Sequence, residues 1–314
     1  MQLHGMHHLT AVTADARANH AFYTNVMGMR LVKKSVNQDD VSAYHLFYAD
    51  GIASPGSDLT FFDWPVARER RGTNAITRTS LRVAGEAAML FWLDRLKAHG
   101  VAHGDIRLVD GRATLEFEDA EGQRLALIDD GGQGPANVWD RSAVPAEHQI
   151  RGLGPVTLSV PDLLPSDRFL QGVFEMRPVR DYQLGAGGAS TVVYEMGAGG
   201  AAAELHIRVE PSLAAARQGA GSVHHVAFRC ADLDEYAYWN DRLRKLRIPQ
   251  SGPVDRFWFK SLYTREPNGI LYEIATDGPG FAVDEPMEKL GEKLVLPPFL
   301  EYRRAEIEAG LKPL

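Results

Sequence analysis

Four times along the 314-residue chain the same pattern returns: a short strand, an amphipathic helix, then strands separated by glycine-containing turns. A repeat of this size cannot bury its own apolar face, so the copies must pack against one another. The first copy opens at His7-His8-Leu9-Thr10-Ala11-Val12. Its helix is predicted over 14–26, with Ala18, Phe22 and Val26 four residues apart, and its strands over 29–37, 43–49 and 59–62. The second opens at 79–83 and predicts a helix over 87–99 with Leu90, Leu93 and Leu96 on the packed face, then a hairpin over 112–118 and 124–128. The third runs from 154–158 through a helix at 164–174 to a hairpin at 190–196 and 203–209. The fourth runs from 224–228 through a helix at 233–246 to a hairpin at 259–266 and 270–275, turning at Asn268-Gly269, a strong two-residue hairpin signal. In chain order the copies form a first pair over 1–131 and a second over 153–283, joined by a Gly/Pro/Ala-rich linker at 132–152. Residues 284–314 read as an arm that ends in a helix.

Composition narrows the class. Apolar residues make up 45% and charged residues 24%, ordinary for a folded protein. The net charge of −7 supplies no global basic field for nucleic acid. No apolar run approaches the roughly 18 residues of a membrane helix. Met1 to Thr13 carries three histidines and alternating polarity rather than a signal-peptide pattern, so the expectation is a soluble cytoplasmic protein. Cys230 is the single cysteine, which excludes a disulfide framework and a thiolate-rich metal cluster within one chain.

Aligning the copies brings two positions forward. In the first strands His8, Ser80, Pro155 and His225 correspond, and in the last strands Phe61, Ala126, His206 and Glu273. Strand alternation puts Val226 and Phe228 with His224 on the helix side, and His225 on the other face. The same logic sends His8 and Thr10 to the concave side, with His7 on the helix side. Glu273 falls in an otherwise apolar strand, where a lone carboxylate is costly unless paired or bound to a cation. Two imidazoles and one carboxylate form a 2-His-1-carboxylate set. It suits non-haem Fe(II) with open positions for substrate and dioxygen, and Mn(II) or Zn(II) as well. Because the ligands lie in copies one and four, those two copies must build one cup and copies two and three the other, within one chain or by exchange between chains. His206 stands alone in this alignment and reads as a surface or core histidine.

The stretches HHLTAVT, NQDDVSAYHLFYAD, DLTFFDWP, DRFWFKSLYTREPNGILYEIATDGPGF and LGEKLVLPPFLEYRRAEIEAGL resemble the vicinal oxygen chelate superfamily, and within it the hydroquinone-type ring-cleaving dioxygenases. The resemblance spans essentially the whole chain. It implies an α+β fold of four βαβββ modules paired into two cup-shaped barrels. Carried over position by position, it implies His8, His225 and Glu273 as iron ligands. It also places Arg256, Tyr263 and Thr10 around the reacting ring, and His7 and His224 as orienting neighbours of the ligands. The implied reaction is Fe(II)- and O2-dependent opening of a 1,4-dihydroxybenzene, both oxygen atoms ending in the product. Phe61, Trp64, Phe257 and Trp258 are candidate walls for the ring. The implied partners are a small aromatic and O2, with no nucleic acid or membrane; the oligomeric state stays open. Two other readings compete. One is a non-redox metal-dependent glyoxalase or isomerase, which generally adds a fourth side-chain ligand where the alignment puts Phe61. The other is a metal-free aromatic-binding protein.

Overall fold

The computed structural model describes residues 1–185 and 187–314. Module one comprises β1 (Met6–Thr13), α1 (Ala16–Ala21) running into a π-helical turn at Phe22–Val26, β2 (Arg30–Val36), β3 (Tyr44–Ala49) and β4 (Asp58–Asp63). Module two comprises β5 (Ala75–Val83), α2 (Gly85–Ala98), β6 (Arg107–Val109), β7 (Arg112–Glu118) and β8 (Arg124–Asp129). Module three comprises β9 (Leu153–Val160), α3 (Leu163–Gly172), β10 (Arg177–Gln183), β11 (Ser190–Glu195) and β12 (Glu204–Val209). Module four comprises β13 (Val223–Cys230), α4 (Leu233–Lys245), β14 (Val254–Asp255), β15 (Phe259–Arg265) and β16 (Leu271–Pro279). Three helices begin on an aspartate, Asp15, Asp162 and Asp232, whose side chain accepts from the first-turn amides. No helix among the described residues is long and apolar enough to cross a membrane.

The modules form two eight-stranded sheets. One has the order β14-β15-β16-β13-β1-β4-β3-β2, the other β10-β11-β12-β9-β5-β8-β7-β6. Modules one and four therefore build the first cup within a single chain, and two and three build the second. Each sheet takes one module from either side of the linker. The seams are antiparallel, β1 against β13 and β5 against β9. Val226, Phe228, Leu9 and Ala11 join the helices in one apolar cluster, as alternation required. On α2 the buried row is Ala88, Trp92 and Leu96 with Met89, while Leu90 is half exposed. The large Trp92 sets that face, in place of the expected Leu90–Leu93–Leu96 stripe.

Both seams contain the same two β-bulges. In β1 the register slips between Met6 and His8, leaving His7 extra, and in β13 it slips between Val223 and His225, leaving His224 extra. In the second seam the slips fall at Thr77 and around Gly154. A bulge re-aims its side chain out of strict alternation. Register also corrects two alignments. Arg78, not Ser80, faces Thr157 as His8 faces Ala227. Thr60, not Phe61, occupies the place of Glu273, because Thr60 pairs with Thr10 and Glu273 with Ala227. Phe61 turns to the helix side and packs on Tyr23 and Tyr48, so it is no wall of the cup.

The C-terminal arm closes over the first cup. The wholly buried Lys33 Nζ donates to Asp284 Oδ1 (2.8 Å), Glu285 and the Phe281 carbonyl (3.1 Å), beneath the Trp258 ring. Trp258 Nε1–H donates to Asp284 Oδ2 (3.0 Å), which fixes that indole in the cup. The predicted final helix is a 3-10 turn at Pro298–Arg303 followed by α5 (Arg304–Gly310).

Candidate metal centre

Three donor atoms converge at the floor of the first cup. His225 Nε2 lies 2.8 Å and His8 Nε2 3.2 Å from Glu273 Oε2, and the two Nε2 atoms are 3.4 Å apart. All three side chains are buried. The other carboxylate oxygen, Oε1, accepts from Ser261 Oγ, while Oε2 has no partner in hydrogen-bonding geometry. A buried carboxylate oxygen left in that state is costly, and a shared cation would relieve it. Burial works to raise the Glu273 carboxyl, and the adjacent His8 and His225 overcome it, holding the group well below its ordinary range. The donor set therefore fits a divalent metal ion.

The bulged histidines explain how the candidate ligands are oriented. His7 Nε2–H donates to the Thr276 carbonyl (3.0 Å), so its Nδ1 is the bare nitrogen. His8 Nδ1 lies 2.9 Å from that nitrogen and must donate to it, which leaves Nε2 as the His8 nitrogen directed at Glu273. His224 Nδ1 and His225 Nδ1 repeat the contact at 2.7 Å. Burial, reinforced by the neighbouring ligand imidazoles, pushes His7 and His224 down to about 3, so both are neutral. Strict alternation sends His7 and His224 to the helix side; the bulges instead turn their rings beside His8 and His225.

Above the floor lies a cavity lined by His45, Phe47, Phe62, Trp258, Phe259, Tyr263 and Arg256, among others. Arg256 Nε–H donates to Tyr263 Oη (3.2 Å), and its Nη2 pairs with Asp39 Oδ2 (2.8 Å). Burial opposes the Arg256 charge, but Tyr263 and Asp39 favour it, and the guanidinium stays firmly cationic. Burial, with Glu273 nearby, pushes the Tyr263 phenol up and keeps it protonated. The Tyr263 ring stands edge-on to His225 (5.8 Å between centroids). Thr10 Oγ1 lies 3.1 Å from His225 Nε2. Of the proposed walls, Trp258 lines the cavity, Trp64 packs behind it on Phe62 and His224, and Phe257 faces the arm. The histidine that sequence reasoning missed is His45. It alternates with the core residues Tyr44, Leu46 and Tyr48 on β3, and that alternation already places it with Phe47 on the concave face.

The second cup holds a comparable trio, Asp110, Glu204 and His206. There, both Glu204 oxygens accept from Arg112 (2.6 and 2.7 Å), Arg180 reaches Glu204 Oε2 (3.0 Å) and forks onto Asp110, and His206 sits between Glu204 and Tyr182. The carboxylate charge is already neutralised, and a cation there would lie against two guanidinium groups.

The model of the Glyoxalase/Bleomycin resistance protein/Dioxygenase superfamily matches residues 5–127 and again 152–274. The chain is 48% identical over 317 residues, covering all of both chains, to "Putative ring-cleaving dioxygenase MhqA" of Bacillus subtilis (strain 168). It is 31% identical to the chlorohydroquinone/hydroquinone 1,2-dioxygenase of Sphingobium indicum, covering 98% of this chain and 95% of that one. A crystal structure of a "putative dioxygenase" from Bacillus subtilis subsp. subtilis str. 168 superposes with a TM-score of 0.90 at 33% identity, covering 100% of this chain and 98% of that one. The chain belongs to the Glyoxalase/Bleomycin resistance protein/Dioxygenase superfamily and, within it, to the ring-cleaving dioxygenases.

Proposed function

We propose that the chain is an Fe(II)-dependent dioxygenase that opens 1,4-dihydroxybenzene rings with O2 in the cytoplasm, with His8, His225 and Glu273 holding the iron. One observation carries the reading. Two imidazole Nε2 atoms and a carboxylate oxygen without a partner in hydrogen-bonding geometry meet at one point, under a cavity walled by aromatic rings. Iron bound there would supply the electron exchange between an electron-rich ring and O2. The names of the relatives support a phenolic substrate, and the aromatic lining of the cavity suits a planar ring.

The chain's own residues have distinct tasks in this reading. Phe47, Phe62, Trp258 and Phe259 sandwich the ring and exclude water. Arg256, a fixed cation at the cavity wall, stabilises negative charge that develops on the ring oxygen as its proton leaves. Tyr263, kept protonated, donates its hydroxyl hydrogen to the same developing charge. Thr10 sits beside the ligand floor and accepts from a substrate hydroxyl. His7 and His224 hold the ligand imidazoles in the tautomer that presents Nε2.

The test is anaerobic reconstitution with Fe(II), Mn(II) and Zn(II) in parallel, then oxygen uptake with hydroquinone, methylhydroquinone and catechol. The expected result is stoichiometric uptake with loss of aromatic absorbance, with Fe(II) and a 1,4-dihydroxybenzene as the best pair. No uptake with any substrate despite tightly bound metal would move the assignment to a non-redox isomerase.

A further inference from the structure

A hydrogen-bonded line of side chains leaves the ligand floor. From His225 Nε2 it passes to Thr10 Oγ1 (3.1 Å), then to Thr60 Oγ1 (2.8 Å), then to His45 Nε2 (3.0 Å). His45 is clamped between Phe47 and Phe62, with ring centroids 3.9 and 4.5 Å away. Register makes His45 the counterpart of Ser261, since His45 pairs with Phe62 two residues after Thr60, and Ser261 with Ala275 two residues after Glu273. Where Ser261 steadies a ligand carboxylate, His45 ends a chain of hydroxyls. No other role in the site uses it.

The direction of the line follows from the ligand tautomers. A metal held by His8, His225 and Glu273 would need the His225 Nε2 lone pair, which leaves Nε2 unable to donate to Thr10 Oγ1 (3.1 Å). The acceptor left to the Thr10 hydroxyl is then Thr60 Oγ1 and, with the His45 proton on Nδ1, the Thr60 hydroxyl donates to His45 Nε2. Thr10 Oγ1, beside His225 Nε2, then has a lone pair free to accept. The geometry points to His45 as the terminal acceptor, through Thr10 and Thr60, of the proton that a phenolic substrate loses on binding.

The balance is simple. The substrate O–H proton moves to Thr10, the Thr10 proton to Thr60, and the Thr60 proton to His45 Nε2. Both hydroxyls are regenerated, the substrate becomes a phenolate, His45 becomes an imidazolium, and no electron is transferred. The proton returns along the same line to the departing product. The charged and titratable groups facing His45 are His8 on β1, His225 on β13, Arg256 before β15 and Glu273 on β16. Burial first, then the two imidazoles and Arg256, keep His45 neutral and its lone pair available in the free protein. Glu273 and the incoming phenolate favour the imidazolium once the substrate is bound.

This inference rests on the proposed phenolic substrate, and the experiment separates the two. Nitrohydroquinone, whose anion absorbs in the visible, is bound anaerobically to Zn(II)-loaded protein, where no turnover occurs. Protons released are counted by calorimetry in buffers of different ionisation heat, and metal content is measured in each sample. The wild type and Thr60→Ser are expected to bind the anion while releasing well under one proton. Thr60→Val and His45→Phe are expected to release about one proton and to gain a pH dependence of binding. Equal proton release by all four proteins would overturn the relay. Loss of metal from Thr60→Val would also overturn it, assigning the line to holding His225. Failure of the wild type to bind the probe would overturn the phenolic-substrate reading and the relay with it.

Discussion

At the register positions where one cup carries His8, His225 and Glu273, the other carries Arg78, Pro155 and His206. The two cups share strand order, seam and bulges. The bulge positions that hold His7 and His224 in the first cup hold Thr77 and Gly154 in the second. Both cups also bring two carboxylate or imidazole donors and a third within ligating distance of one another. Proximity therefore does not distinguish them. The difference is what claims the carboxylate. In the second cup Arg112 and Arg180 saturate Glu204 and Asp110, so the trio is a charge-neutral plug. In the first cup Glu273 Oε2 faces the Nε2 atoms of His8 and His225 and has no partner in hydrogen-bonding geometry, so the trio can share a cation.

The contrast predicts a double dissociation. The largest effect belongs to the first cup. Arg256→Ala should lower turnover by about 10²–10³-fold while metal stays bound, as expected for a lost charge-stabilising donor. Steady-state kinetics with metal analysis checks this, and coincident loss of iron would make Arg256 a structural residue. In the second cup, Glu204→Gln strands two guanidinium groups. It should cost about 2–3 kcal/mol of stability, at the low end for a broken buried pair because Arg112 and Arg180 reach solvent. Urea denaturation reads that loss, and metal content and turnover should not change. A smaller effect separates the bulges: His7→Phe and His224→Phe should weaken metal binding by about 10–100-fold, in a chelator competition, whereas Thr77→Val should leave it alone.

The smallest effect is on pH. His7 and His224 sit at about 3 in the folded protein against an ordinary 6.5, so between those values the unfolded chain binds more protons than the folded one. Stability from these two groups is fully present above about 6.5 and is lost as pH falls towards 3. Denaturation midpoints across that window should fall with acidification, and more shallowly in His7→Phe. An unchanged slope would mean that His7 is protonated in the folded state.

Much of the first cup was legible in the sequence because its signals are redundant. Two histidine pairs recur at equivalent strand starts, and Glu273 interrupts an apolar strand, so repeat and alternation point to the same three side chains. What was not legible traces to places where a strand departs from the regular ladder. Alternation assumes an unbroken register, and the bulges at His7 and His224 break it. The alignment by strand starts misses by two residues at Ser80, where Arg78 after the Thr77 bulge is the true counterpart, and by one at Phe61, where Thr60 is. The edge strands β6, β10 and β14 escaped notice because they are short or strongly charged, as in Arg177–Gln183, and owe their pairing to neighbours rather than to an apolar pattern. His45 was readable from the alternation of Tyr44, Leu46 and Tyr48, but its meaning depends on Thr60 and Thr10, which only the folded sheet brings beside it.

The central claim is that one cup, and not its twin, holds a metal. The direct test is the metal stoichiometry of the wild type, Glu273→Gln and Glu204→Gln after anaerobic loading with Fe(II), with circular dichroism to confirm that each is folded. The account predicts one iron per chain in the wild type and in Glu204→Gln, and none in folded Glu273→Gln. Iron retained by Glu273→Gln, or lost from Glu204→Gln, would contradict it.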